Sequence, residues 1–116
     1  MKKALICCRN ESMIIAQAIN QVVKLIDVET DMCTHENAIA TFFSGEYSHI
    51  IVLDYSEAEA KSSGGFATYR DIKASALPGQ KMIRGGYEKL DHSDYWQVPG
   101  DLIKLFHLLM KDNAGS

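Results

Sequence analysis

The sequence has 116 residues, of which 47% are hydrophobic and 23% charged, and its formal net charge is −3. These values are typical of one globular domain and leave no room for a second. The slight negative charge and the lack of a Lys/Arg cluster argue against nucleic acid binding. No run approaches the roughly 18 apolar residues that a membrane span needs. We therefore expect neither nucleic acid nor membrane as partner. The N-terminus shows no signal-peptide cleavage pattern, so we expect a cytoplasmic protein that begins at its natural Met1.

The N-terminal half predicts two strands and two helices. Residues 3–8, "KALICC", form an apolar run of strand length, and the polar residues 9–12 indicate a turn that leads into a helix. Apolar residues at helical spacing predict an amphipathic helix over 13–26. The alternating residues 28–34 are typical of an edge or half-exposed strand, and a helix capped by Thr34 is predicted to run through Phe43.

The C-terminal half opens with a strand that is apolar at every position. Residues 49–53, "HIIVL", indicate a central parallel strand, and Asp54 follows directly. The polar loop after Asp54, with the run Ser62-Ser63-Gly64-Gly65, is expected to be mobile. Four further elements are predicted: a helix over 66–76, a strand over 81–84 closed by Gly85-Gly86, a strand over 95–98, and a helix that starts at 99–101 and ends near Lys111.

Strands that alternate with helices predict a doubly wound α/β fold with a five-stranded parallel sheet, because parallel neighbours need crossover connections. In such folds the functional site lies at the carboxyl ends of the strands. Asp54 and the turn Arg9-Asn10-Glu11 are both predicted to lie there. Asp54 is therefore a candidate reacting carboxylate, although a strand-end aspartate can also serve only to cap a loop.

Three segments carry a resemblance to a known family: residues 28–56, residues 64–73 and "YWQVPGDLIKLFHLL" at 95–109. Along nearly its whole length the chain resembles the receiver domain of bacterial response regulators. The resemblance implies a flavodoxin-like sheet in the strand order 2-1-3-4-5, with Asp54 as acceptor of a phosphoryl group from a histidine kinase. Because the last predicted helix ends near Lys111, we expect one domain over 1–111, followed by a flexible tail or the start of a linker at 112–116.

The groups that would support phosphorylation depart from the family's pattern. Where the family has two acids that hold Mg²⁺, this chain has Cys8 and Arg9. Gly85 or Gly86 replaces a serine or threonine, and Val98 replaces a lysine. A thiol and a guanidinium do not suit Mg²⁺.

The segment between Arg84 and Tyr95 is also unusual for the family. It is too short for the expected fourth helix, which we predict to be reduced or missing. Because many family members dimerise through that region, the oligomeric state stays open.

The leading hypothesis is an atypical receiver domain that acts through protein–protein interaction, without enzymatic turnover, and in which phosphorylation of Asp54 is impaired or absent. Arg9 could then pair with Asp54 in place of a metal, or simply face solvent. No cofactor is expected. The predicted pocket around Asp54 contains Cys8, Arg9, Asn10, Glu11, Tyr55, Ser56, Gly85, Gly86 and Val98.

Two alternatives remain open. The first is a phosphorylation-competent receiver whose Mg²⁺ is held by Glu11, Asp54 and the backbone near Ser56. The second is a flavodoxin-like domain or enzyme for a small ligand, against which stands the lack of a glycine fingerprint after the first strand.

The histidines and cysteines share no motif with these candidate residues. His35, His49, His92 and His107 are scattered over different predicted elements, so we expect each to be structural or exposed. The three cysteines have no metal-type spacing, and adjacent Cys7 and Cys8 point to opposite faces of a strand. We expect reduced thiols that pack as small hydrophobic groups.

Overall fold

The computed structural model describes residues 2–59, 64–98, 100 and 102–110. Within these residues the chain forms five strands: β1 Lys3–Cys7, β2 Glu29–Cys33, β3 His49–Val52, β4 Lys81–Gly86 and β5 Tyr95–Gln97. The helices are α1 Met13–Lys24, α2 Ala38–Ser44, α3 Gly64–Ser75 and α4 Leu102–Met110, and short 3-10 turns at Asn10–Ser12 and His35–Asn37 precede α1 and α2. None of the helices in these ranges is long and apolar enough to cross a membrane.

The strands form one parallel sheet in the order β2-β1-β3-β4-β5. This order confirms the predicted doubly wound fold. It places β2 at an edge, as its alternating sequence indicated, and β3 in the middle, where every residue is buried. Because the strands are parallel, the carboxyl ends of β1, β2 and β3 lie next to each other at the same end of the sheet.

Two apolar clusters cover the two faces of the sheet. Alternate residues of β1 point to opposite faces, so that Ile6 packs with α1 and α4 and Leu5 packs with α2 and α3. Burial on both faces explains why the sequences of β1 and β3 are apolar without alternation. Trp96 lies in the α1 and α4 cluster, where it packs β5 beside the last helix.

Residues 87–94, all of which are described, contain no helix between β4 and β5. The predicted loss of the family's fourth helix is confirmed. The prediction that Gly85 and Gly86 close β4 is wrong, because both are strand residues. A Cβ on Gly86 would lie 2.1 Å from the carbonyl oxygen of Tyr55, so only glycine allows this close approach of the next segment.

Several element boundaries differ from the predicted ones. The first helix ends at Lys24, and the segment after Thr34 begins as a 3-10 turn. Gly64 and Gly65 begin α3 rather than belonging to the loop before it. Gly65 packs so closely on the end of β3 that a Cβ would lie 2.3 Å from the carbonyl oxygen of Leu53.

Some of the predicted features lie outside the described residues. They are the loop residues Ser62 and Ser63, the helix-start residues Pro99 and Asp101, and the chain from Lys111 onward, including the predicted tail at 112–116.

Candidate functional site

Asp54 lies directly beyond β3, at the end of the sheet where the carboxyl ends of the strands lie. Hydrogen bonds on both sides fix its position: the N–H of Leu53 donates to the Cys7 carbonyl at 2.8 Å, and the N–H of Tyr55 donates to the Gly85 carbonyl at 3.0 Å. The backbone of Asp54 has a φ of 60°, a left-handed conformation that aspartate tolerates better than most residues. Its side chain is only 3% exposed.

Three hydrogen bonds converge on the Asp54 carboxylate. The Ser12 hydroxyl donates to Oδ1 at 2.6 Å, and the backbone N–H of Arg9 donates to Oδ2 at 2.6 Å. Nε2 of His35 lies 3.1 Å from Oδ2. The Arg9 guanidinium adds a positive charge, with its Nε 3.4 Å from Oδ1. Both oxygens of the carboxylate thus have protein partners.

His35 connects Asp54 to the third helix. Because an ionised carboxylate only accepts hydrogen bonds, the proton of this contact must lie on Nε2 of His35. The other ring nitrogen, Nδ1, lies 3.0 Å from the hydroxyl oxygen of Thr68 in α3. Elements that follow β1, β2 and β3 therefore meet in one hydrogen-bonded group.

These contacts also determine the charge of Asp54. Burial alone would raise its pKa, but hydrogen bonds from His35, Ser12 and the backbone of Arg9, with the charge of Arg9, outweigh burial and lower the pKa of Asp54 to about 2. Asp54 is therefore a carboxylate at neutral pH.

Part of the predicted pocket is brought together. Arg9, Tyr55 and Ser56 line a cavity of about 240 Å³ beside Asp54, together with Glu88. Arg9 thus takes the first of its two predicted roles, the direct ion pair.

The other predicted residues lie apart from the carboxylate. Asn10 is exposed, and so is Glu11, whose Oε2 lies 4.0 Å from Nε of Arg9. Cys8 is buried with its Sγ 3.8 Å from the sulfur of Met13, and Val98 is buried in the α1 and α4 cluster. Gly85 and Gly86 contribute only backbone.

The groups around Asp54 do not match a Mg²⁺ site. Magnesium requires oxygen ligands in octahedral geometry, whereas Arg9 and His35 present N–H donors to the carboxylate. In the described part of the chain, no group of three or more His, Cys, Asp or Glu side chains is placed to hold a metal ion. The guanidinium of Arg9 also lies between Glu11 and Asp54, two of the ligands that the Mg²⁺ alternative needs.

Sequence reasoning missed Ser12, His35 and Thr68 as partners of Asp54. Ser12 was expected only as part of the polar turn 9–12 before the first helix, but it makes no capping hydrogen bond and donates to Asp54 instead. One signal was available for His35, since it follows a predicted strand and the site was expected at strand ends. Thr68 gave no signal, because its role depends on how α3 packs against β3.

A second charged cluster lies around Arg84, at the same end of the sheet. The Nε of Arg84 lies 2.8 Å from Oδ1 of Asp94, and its Nη1 donates to the Tyr55 hydroxyl at 2.9 Å. The guanidinium lies 5.1 Å from the ring centroid of Tyr55 and 4.6 Å from that of Tyr69, as expected of cation–π contacts. The Tyr69 hydroxyl also donates to Asp94.

The loops that follow β3 and β4 are tied to each other beside this cluster. The Glu88 carboxylate accepts hydrogen bonds from the N–H groups of Glu57 at 2.8 Å and Ala58 at 3.2 Å. Glu57 in turn accepts from the Tyr55 hydroxyl at 2.9 Å and lies 2.7 Å from Nε2 of His92. These hydrogen bonds connect the two loops.

Comparison with known proteins gives a result for the fold only. No protein-family model matches the sequence, and no curated protein matches it. The structure is similar to a receiver domain (CheY-like) from Methylobacillus flagellatus, with a TM-score of 0.69, 16% identity, and coverage of 94% of this chain and 96% of that chain. The chain has the fold of a response regulator receiver domain. A two-component response regulator from Clostridium difficile matches with a TM-score of 0.71, 18% identity, and coverage of 94% and 93%.

A third receiver-fold match comes from a complex of histidine kinase ThkA with response regulator protein TrrA, with a TM-score of 0.71 and 17% identity over 94% of this chain and 96% of that chain. The predicted resemblance is thereby confirmed for the fold. Identities this low carry no conclusion about activity.

Proposed function

We propose that this chain is an atypical receiver domain of two-component signalling, which acts by binding other protein domains and not through Mg²⁺-dependent phosphorylation of Asp54. The observation that supports this proposal is the set of contacts on the Asp54 carboxylate. Ser12, His35 and the backbone of Arg9 take up both oxygens, and the Arg9 guanidinium supplies positive charge.

A carboxylate that accepts a phosphoryl group must present an oxygen lone pair to phosphorus, and the approach of two anions must be neutralised. In this site Oδ2 accepts from two donors, and Oδ1 accepts from Ser12 and faces the Arg9 guanidinium, so these groups compete with phosphorus for both oxygens. The lowered pKa of Asp54 also makes its oxygens weaker nucleophiles. Both effects oppose transfer.

The ends of β4 and β5 give a phosphoryl group no support either. Gly86 has no hydroxyl, and any side chain there would collide with the Tyr55 carbonyl unless the loop after β3 moved. Val98 has no charge and packs in an apolar cluster. The departures from the family's pattern at these two positions therefore have structural reasons.

We propose that the partner is a histidine kinase or another signalling protein domain in the cytoplasm. The proposed interaction involves neither a bound metal nor enzymatic turnover. One of the matched structures is a complex between a histidine kinase and a response regulator, so a kinase is the first partner to test. A partner that contacts either of the loops tied by Glu57 and Glu88 would shift both loops.

Acetyl phosphate or beryllofluoride with Mg²⁺ tests the proposal directly. We expect intact-mass spectrometry to find no phosphorylated Asp54, and NMR spectra to show no beryllofluoride-induced shifts around Asp54. Stoichiometric modification of Asp54 would contradict the proposal and support the phosphorylation-competent alternative.

Arg9→Asp gives a matched variant, because it places an acid where the family has one and removes the guanidinium. We expect this variant to gain Mg²⁺-dependent NMR shifts at Asp54 that the wild type lacks. The control is Arg70→Asp, which changes the same charge on an exposed arginine of α3. Mg²⁺ binding by the wild type equal to that of Arg9→Asp would count against the assigned role of Arg9.

A further inference from the structure

Two of the three cysteines lie side by side at the carboxyl ends of neighbouring strands. Cys7 ends β1, Cys33 ends β2, and the two residues are register partners in the parallel ladder. Their sulfur atoms are 3.7 Å apart. Both are free thiols in a cluster shared with α2 and α3, whereas Cys8 belongs to the cluster on the opposite face.

We propose that Cys7 and Cys33 are a redox site, which forms a reversible disulfide when a peroxide or a low-molecular-weight disulfide acts as oxidant. The site is separate from Asp54, and its chemistry does not depend on whether Asp54 accepts a phosphoryl group.

The backbone geometry permits this bond. Neighbouring strands lie about 4.8 Å apart, which is within the range of roughly 4.4–6.8 Å that separates the Cα atoms of disulfide-bonded cysteines. The sulfur atoms must approach from 3.7 Å to about 2.05 Å, and side-chain rotation with a small shift of the edge strand β2 can provide this. Cys8 cannot compete for Cys33 without turning β1 over.

Access and acidity both favour Cys33 as the thiol that reacts first. It lies on the edge strand beside a surface groove formed with Met32 and Thr41, whereas Cys7 is fully buried. Contact with the Cys7 thiol lowers the pKa of the Cys33 thiol, and the same contact together with burial raises the pKa of Cys7. Cys33 is thus the natural nucleophile and Cys7 the resolving thiol.

With hydrogen peroxide, the Cys33 thiolate attacks one oxygen, the O–O bond breaks, and the other oxygen leaves as water after taking a proton. Cys33 is then a sulfenic acid. The Cys7 sulfur attacks the Cys33 sulfur and the S–O bond breaks. The hydroxide that leaves takes the Cys7 proton, so that two thiols and one peroxide give one disulfide and two waters.

Cys7 and Cys33 each lie two residues before a residue that contacts Asp54. Arg9 is the second residue after Cys7, and His35 is the second residue after Cys33. The two segments are already joined by a hydrogen bond from the Cys8 N–H to the Cys33 carbonyl at 3.0 Å. We expect a disulfide at this point to displace the segments that bring Arg9 and His35 to Asp54.

The experiment treats the reduced full chain with hydrogen peroxide or oxidised glutathione and then counts free thiols. We expect the loss of two of the three thiols, a Cys7–Cys33 link in non-reducing peptide maps of monomeric chain, and recovery with dithiothreitol. Oxidation should also shift the NMR signals of His35, with little change at His107. The proposal is overturned by retention of all three thiols, by a link through Cys8, or by disulfides found only between chains.

Variants that each lack one of the three cysteines provide the controls. Cys8→Ala should still lose both remaining thiols, whereas Cys7→Ala and Cys33→Ala should form no disulfide within the chain. Thermal unfolding under reducing conditions checks that each variant is folded. If a variant does not fold, the peptide map of the wild type still decides which cysteines are linked.

Discussion

Two arginine–aspartate pairs lie at the same end of the sheet. The aspartate is the more buried partner in one pair, and the arginine is the more buried partner in the other. In the Arg9–Asp54 pair the carboxylate is enclosed, with a side chain 3% exposed, and the arginine is 59% exposed. In the Arg84–Asp94 pair the arginine is the enclosed partner, at 14% exposed against 25% for the aspartate. Asp54 is thus a buried anion with several donors, whereas Arg84 is a buried cation with several acceptors and aromatic rings.

The difference suggests separate roles for the two pairs. Asp54 takes its partners from segments after β1 and β2, so a rearrangement of either segment reaches it. Arg84 instead joins β4 to Asp94 and to Tyr55, and in this way fixes the short connection that replaces the family's fourth helix. We interpret the Arg84 cluster as structural and the Asp54 cluster as the part that can respond.

The largest effect is expected from Arg84→Met. Methionine keeps contact with the rings of Tyr55 and Tyr69, but Asp94 is left without its cation. Removing one partner of a largely buried pair should lower the free energy of unfolding by about 3 kcal/mol. Urea denaturation measures this change. Arg70→Met removes an exposed ion pair and should leave the unfolding midpoint unchanged, so equal losses in the two variants would contradict the structural role of Arg84.

Asp54→Asn tests whether the donors around Asp54 need a carboxylate. Asparagine offers one acceptor oxygen and an NH2 group, so at least one of the hydrogen bonds that Ser12, His35 and Arg9 donate to Asp54 must be lost or reversed. We expect a loss of about 2 kcal/mol in unfolding free energy. Asp71→Asn, on the exposed face of α3, is the control. A stabilised Asp54→Asn variant would show instead that Asp54 is strained by its surroundings.

The pH dependence of stability should differ between wild type and Asp54→Asn. The folded pKa of Asp54, about 2, lies below the value of about 3.9 for an aspartate in an unfolded chain. The stabilisation that depends on its charge is therefore fully present above about pH 4 and is lost as the pH falls towards 2. Urea midpoints of both proteins should converge over this window. A constant difference would contradict the lowered pKa.

The smallest effect is expected from Thr68→Val, which keeps the shape of the buried side chain and removes the hydroxyl that contacts His35. We expect a loss of about 1 kcal/mol. Ser44→Ala removes an exposed hydroxyl that bonds within its own helix, and it should have less effect. Equal effects would mean that the contact between Thr68 and His35 does not hold the ring of His35 in place.

The fold followed from the sequence because its signals are local. The apolar run at 3–8 indicated a strand, and that at 49–53 indicated a central strand. The shortness of the segment between Arg84 and Tyr95 indicated a reduced or missing helix. The position of Asp54 at a strand end followed from the same pattern.

The partners of Asp54 and Cys7 were harder to predict, because both depend on how distant segments pack. Asp54 meets Ser12, 42 residues away, and Cys7 meets Cys33, 26 residues away. No spacing or periodicity in the sequence encodes such pairs. The ion pair of Arg9 was accessible to prediction only because the resemblance placed Arg9 at a metal position.

The central claim is that protein groups take the place of a metal at Asp54. Carbon-13 NMR of the Asp54 carboxyl group, titrated with acid in the presence and absence of Mg²⁺, tests it most directly. We predict a pKa of about 2 and no effect of Mg²⁺ on the carboxyl signal at neutral pH. A pKa at or above the ordinary value of about 3.9, or a carboxyl signal that shifts with Mg²⁺, would contradict the claim.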